Sequence, residues 1–149
     1  MIDVRFRTAE AKDIPAIVAL LLDDELGQGR EELNNPAYET AFHAIEHDPN
    51  NTLIVGEASG DIVAVYQLTM ISGFSLKAMR RAQIEGVRVA SHLRGQGIGQ
   101  NLIDDAENRA RNCGAGLMQF SSNAIRNRAH AFYRKLGYEP SHVGFKKHL

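Results

Sequence analysis

The sequence predicts a mixed α/β sheet, and three observations predict it. Apolar residues alternate with period two in some stretches and recur every three to four residues in others. The stretches so defined run strand, two helices, three strands, helix, strand, helix, strand. No repeat, low-complexity tract or Pro/Gly/Ser linker interrupts them, so one domain over residues 1–149 is expected.

Val4 to Arg7 alternates as a short strand. Ile14 to Leu22 is apolar at helical spacing, with Asp13 as N-cap and Pro15 in the first turn. Pro36 opens a second helix to about Glu46, with Ala37, Ala41, Ala44 and Ile45 on one face. "NTLIVGEASGDIVAVYQLTMI" reads as two strands joined at Ser59-Gly60-Asp61.

Gln83 to Ala90 is the next strand, in which strict alternation puts Glu85, Val87 and Val89 on one face. The stretch from Ser72 to Ala82 joins it to the strand before. Ile98, Leu102, Ala106 and Ala110 recur every four residues, widened by Ile103 and Cys113, so Gly97 to Cys113 is a long amphipathic helix and Cys113 reads as core. "GLMQFSS" is a fifth strand. Ala129, Phe132, Tyr133 and Leu136 form the face of a last helix closed by Gly137, and a final strand or hairpin is expected from Tyr138.

Composition excludes several classes. Seventeen basic against eighteen acidic residues leave a net charge of −1, dispersed along the chain, which is no footprint for nucleic acid. No apolar run approaches the roughly 20 residues of a membrane span, and the N-terminus has no secretory apolar core. A lone cysteine forms no internal disulfide. A cytoplasmic location follows as the expectation.

The chemistry is concentrated in "VRVASHLRGQGIGQNL", where three glycines fall within five residues between a strand and a helix. Such a turn exposes backbone N–H groups at the positive end of a helix dipole and suits phosphate. The dinucleotide pattern G-x-G-x-x-G fails because Gln100 stands where the third glycine belongs, and no Gly-Lys-Ser/Thr of a nucleotide P-loop follows. What remains is Arg94-x-x-Gly97-x-Gly99.

This segment resembles the acyl-CoA signature of the GNAT superfamily of N-acyltransferases, and "NRAHAFYRKLGYEPS" resembles that family's second signature. The closing stretch is also similar in style to small bacterial members, including aminoalkylphosphonate N-acetyltransferases. The resemblance implies a fold with splayed central strands and acetyl-CoA as co-substrate.

Carried over residue by residue, it implies that Val87, Arg88 and Val89 meet the pantetheine arm. It implies that Arg94, Gly95, Gln96, Gly97, Ile98 and Gly99 wrap the pyrophosphate, with Gln100 at the helix start. Many members carry a cofactor-contacting asparagine seven residues before the signature tyrosine. Here that position is Arg126, with Asn123 nearby but out of register, so Arg126 points either to a cofactor phosphate or to an anionic acceptor.

Tyr133 occupies the place of the general acid that protonates the leaving thiolate; the alternative is a core aromatic. An alkylammonium has a pKa near ~10.4 and must lose a proton before attack. Glu85 is either the base acting through a water or a strand carboxylate paired to Arg81 or Arg88. The Val89 N–H is the expected oxyanion donor.

Asp23, Asp24 and Glu25 either draw a cationic amine to the acceptor pocket or form a solvated helix end. His92, His130 and His142 show no metal-ligand spacing, and no metal is expected. The implied activity is acetyl transfer from acetyl-CoA to a small primary amine by direct attack in a ternary complex. The alternatives are a protein N-terminal or lysine acetyltransferase and a non-catalytic acyl-CoA sensor. A homodimer is possible within the family.

Overall fold

The computed structural model describes residues 1–149, which divide into two compact units, Met1–Gln119 and Phe120–Leu149. The first unit holds β1 (Arg5–Thr8), α1 (Ile14–Leu22), α2 (Ala37–Glu46), β2 (Asn51–Ala58) and β3 (Asp61–Ile71). A single turn, α3 (Ser75–Ala78), leads to β4 (Arg81–Val89), α4 (Ile98–Asn112) and β5 (Leu117–Gln119). The second unit holds α5 (Asn127–Lys135).

The five strands lie in sequence order, antiparallel from β1 to β4 and parallel between β4 and β5. Ser59 (φ 52°) and Gly60 (φ 89°) are the two left-handed residues of a tight hairpin turn, which matches the right-handed twist of the strands they join. One face of the sheet gives Val55, Val63, Val65 and Ala90 to a core with Ile17 and Leu20 of α1 and Phe42 of α2. On the other face Ile54, Ala64, Tyr66 and Leu68 are buried, and α4 packs there with Ile98, Leu102, Ile103, Ala106 and Ala110 all buried. Each large side chain removed from water in this way contributes about 1.5–3 kcal/mol.

Asp13 stands at the N-cap of α1, but its carboxylate is used elsewhere. It takes Arg7 Nη1 at 2.7 Å and Nη2 at 3.0 Å, and the Glu10 N–H at 2.8 Å. Arg7 Nε reaches Glu57 at 3.0 Å, so one guanidinium joins β1, β2 and the entrance to α1. The Arg7 hydrogen bonds hold the Asp13 carboxyl below the usual carboxylate range.

Four expectations need correction. In α2 only Phe42 is buried while Ala37, Ala41 and Ala44 are exposed, because the helix turns its largest apolar side chain inward and alanine has little area to hide. Cys113 is exposed at the C-cap of α4, where the chain leaves the helix before the apolar stripe continues. No strand forms after Tyr138: Gly137 (φ 91°) ends α5, and Pro140 removes a ladder donor from the remaining stretch. The fourth concerns β4 and bears on the site.

Candidate active site

Strict alternation fails within β4. Val65 stands opposite Arg88, but Gln67 stands opposite Glu85, so Gly86 and Val87 together face Tyr66. This is a one-residue bulge, and Gly86 takes φ 61° to make it. Cross-strand partners share a face of the sheet. Glu85 therefore lies with Gln67 and Arg88 on the α1/α2 side, while Val89 lies with Ala64 on the α4 side. Glu85 and Val89 do not share a face, and the extra residue is the reason.

The bulge lies beside an open edge. β5 pairs with β4 only over Arg81, Ala82 and Gln83. From Ile84 to Val89 the side of β4 away from β3 has no partner strand. The Ala90 N–H donates to Val63 O at 2.8 Å, so by the alternation of an antiparallel ladder Val89 points its N–H and C=O to that edge. Arg94 Nε donates to Val89 O at 3.1 Å, and Arg88 Nη1 to Val87 O at 2.8 Å. With these carbonyls engaged, the Val89 N–H stands as a donor at the open edge.

Beyond the edge the chain turns through Ser91–Leu93, Arg94, Gly95 (φ 79°) and Gly97 (φ 86°) into α4. A Cβ at Gly95 or Gly97 would meet nothing within 4 Å, so the backbone conformation and not crowding within the chain calls for glycine. The first intrahelical bond of α4 runs from the Asn101 N–H to Gly97 O at 3.1 Å. The amides of Ile98, Gly99 and Gln100 thus precede the ladder, at the positive pole of a fifteen-residue helix. No side chain caps them. Gln96 and Gln100 are exposed at either end of this turn.

The acidic end of α1 is built into the chain. Asp23 accepts the Ser91 N–H at 2.7 Å, which lowers its carboxyl below the usual range. Its carbonyl accepts Arg94 Nη2 at 2.7 Å. Asp24 pairs with Arg88 at 3.2 Å, with side chains only 11 % and 9 % exposed. Glu25 is exposed. Asp23 and Asp24 thus clamp the end of α1 to the end of β4, and the Arg88 side chain is directed to Asp24.

Beside Glu85 runs a polar ladder on the same face of the sheet. Asn51 Oδ1 accepts Gln67 Nε2 at 2.9 Å and Thr69 Oγ1 at 2.7 Å. Gln119 Nε2 donates to Gln83 Oε1 at 3.2 Å, and Arg81 Nη1 to Gln119 Oε1 at 2.9 Å. Glu85 is exposed at the end of this ladder. It is a surface carboxylate beside amide groups.

Within the second unit, Asn123 organises the approach to α5. Its Oδ1 accepts the Ile125 N–H at 3.1 Å, and its carbonyl accepts the Arg126 N–H at 3.0 Å and faces His130 Nε2 at 2.9 Å. Arg126 is the N-cap residue of α5. Tyr133 is half-buried against Phe120 (ring centroids 4.3 Å) and Phe132 (5.2 Å).

A strand with an open edge, a glycine turn and an uncapped helix start belong to many phosphate sites, and a family comparison decides among them. The model of the acetyltransferase (GNAT) family matches residues 15–138. The chain belongs to the GNAT acetyltransferase family. Aminoalkylphosphonate N-acetyltransferase of Salmonella typhimurium is 34% identical over 144 residues, covering 96% of this chain and 90% of that protein. A crystal structure described as a transcriptional regulator of Bacillus halodurans C-125 superposes with a TM-score of 0.94 at 39% identity, covering 99% of this chain and 100% of that one. Glucosamine-6-phosphate N-acetyltransferase of Arabidopsis thaliana shares the fold, with a TM-score of 0.78 at 19% identity and 98% of each chain covered.

This acetyltransferase is therefore an acyl-CoA-dependent enzyme. Two features of its site escape sequence reading. The Asp24–Arg88 pair joins residues far apart in the chain and leaves no local signal. The bulge does leave one, since a glycine inside a strand marks a bulge or a close approach. No helix is long and apolar enough to cross a membrane.

Proposed function

We propose that this GNAT acetyltransferase moves the acetyl group of acetyl-CoA to the primary amine of a small molecule, by direct attack within a ternary complex and in the cytoplasm. The observation that carries the reading is the open edge of β4 at Val89, continuous with the left-handed glycines at 95 and 97 and the uncapped start of α4. An extended pantetheine arm adds to such an edge as a strand would. The amides of Ile98, Gly99 and Gln100 then receive the pyrophosphate with Gly95, Gln96 and Gly97, and the Val89 N–H receives the thioester oxygen. The two units act as one domain in this reading, since the family match runs through both.

The acceptor amine is taken to be that of an aminoalkylphosphonate, as in the Salmonella relative. Glu85 is the proposed base, acting through a water from the α1/α2 face, and Tyr133 the acid that protonates the departing thiolate. Asn123 and Arg126 are assigned to the cofactor, with Arg126 also suited to an anionic acceptor. Asp23 and Asp24 act by holding β4 in place, and Glu25 remains the acid free to attract a cation.

The test is thiol release from acetyl-CoA across aminoalkylphosphonates, polyamines, aminoglycosides, amino acids and N-terminal peptides, followed by two-substrate kinetics with the best acceptor. Turnover highest with an aminoalkylphosphonate and intersecting reciprocal plots support the reading. Turnover with peptides alone overturns the acceptor class, and parallel plots overturn direct attack.

A further inference from the structure

Away from this site, α2 and its C-cap residue carry His43, Glu46 and His47 on one exposed face, at the helical spacings i, i+3 and i+4. Their candidate ligand atoms all lie within 4.8 Å of one another. The two imidazoles are neighbours, with centroids 4.1 Å apart. A separate observation concerns the tautomer. His47 Nδ1 lies 2.8 Å from His43 O, a carbonyl that only accepts, so Nδ1 is the donor and in the neutral ring Nε2 is left with the lone pair. That is the arrangement found at metal-bound histidines, where the second ring nitrogen donates to a carbonyl and fixes the ring.

We propose that His43, Glu46 and His47 form a binding site for a divalent transition metal ion, of the zinc, nickel and copper class. Two imidazoles and one carboxylate are the donor set of an open zinc site, with the remaining positions left to water or an outside ligand. In tetrahedral coordination neighbouring ligand atoms stand about 3.4 Å apart, so no pair of the trio has to close by more than roughly 1.4 Å on binding. Exposed side chains make that adjustment by rotation about χ1 and χ2 without moving the helix. The trio occupies the last turn and C-cap of α2, the negative pole of its dipole, where a cation is favoured. Among divalent ions the affinity order expected is copper above nickel and zinc.

The experiment is calorimetric titration of the untagged chain with zinc chloride, repeated with nickel chloride, alongside His43→Ala, His47→Ala, Glu46→Gln and a His142→Ala/His148→Ala double variant. One ion per chain is expected. Each helix histidine variant is expected to weaken binding by at least about tenfold and the glutamine variant by less, while the tail variant leaves affinity unchanged. The ring resonances of His43 and His47 should shift together on zinc addition. Binding undiminished in His43→Ala, binding abolished only in the tail variant, or no heat with either ion overturns the site. These side chains lie on an exposed face, so the variants retain the fold and the result does not depend on acetyl transfer.

Discussion

Breaking the Asp24–Arg88 pair should loosen the part of the fold that presents the β4 edge. At 3.2 Å and an effective dielectric of 20, the attraction is about 5 kcal/mol before desolvation. Both side chains are about nine-tenths buried, so removing one partner leaves a charge in a poorly solvated place and costs roughly 3–5 kcal/mol, whereas removing both costs less than the sum. For a chain of this size a loss of about 3 kcal/mol lowers the melting temperature by roughly 6–12 °C. Asp24→Asn, Arg88→Met and the double variant, unfolded in urea and followed by circular dichroism, give the coupling from a double-mutant cycle. A coupling of at least about 1.5 kcal/mol is expected. Single effects that add to within about 0.5 kcal/mol would falsify the clamp and leave Arg88 as an ordinary packed side chain.

Gly97→Ala forces an L side chain into the left-handed region at a cost of about 1 kcal/mol and should weaken acetyl-CoA binding several-fold with little change in the fold, as read by calorimetry. Asp13→Asn tests the Arg7 pair. Because the folded carboxyl titrates below its unfolded value, its stabilisation is present above about pH 4 and is lost as pH falls through the lowered value, so the variant should be less stable at neutral pH and flatter in acid. Chemical denaturation at a series of pH values measures both, and an unchanged acid slope would rule the pair out. Tyr66→Phe removes the hydroxyl that donates to Asp105 at 2.5 Å on the α4 face, and should cost about 1.5–3 kcal/mol of stability. Tyr133→Phe should lower kcat by about 10²-fold or more with unchanged acetyl-CoA affinity, and unchanged kcat would remove it as the acid.

Much of the architecture is legible in the chain because its signals are local. Ile14–Leu22 forms α1 as read, since Pro15 starts the helix and the apolar run stops at the acids. Ser59 and Gly60 announce their turn by type, and the glycines at 95 and 97 announce theirs. What depends on a distant partner is not legible. Glu85 changes face because β4 supplies two residues where β3 supplies one; Gly86 marks the place within the strand, but only the pairing with β3 fixes the count. Asp24 reads as a solvated acid until Arg88 is placed beside it. The helix face of His43, Glu46 and His47 was legible by spacing, and is passed over when histidines are considered one at a time.

The open stretch of β4 also bears on how the protein behaves in a crowded solution. A strand edge with no neighbour will accept any extended chain, including another copy of itself, and proteins ordinarily blunt such edges with charge, bulges or a cover. Here Gly86 kinks the edge and Arg94 is laid across its end, which are two such protections. A pantetheine arm lying along the same backbone would be a third. The co-substrate would then act as a solubility factor as well as a reagent, and protein kept with acetyl-CoA should stay monodisperse longer than protein stripped of it.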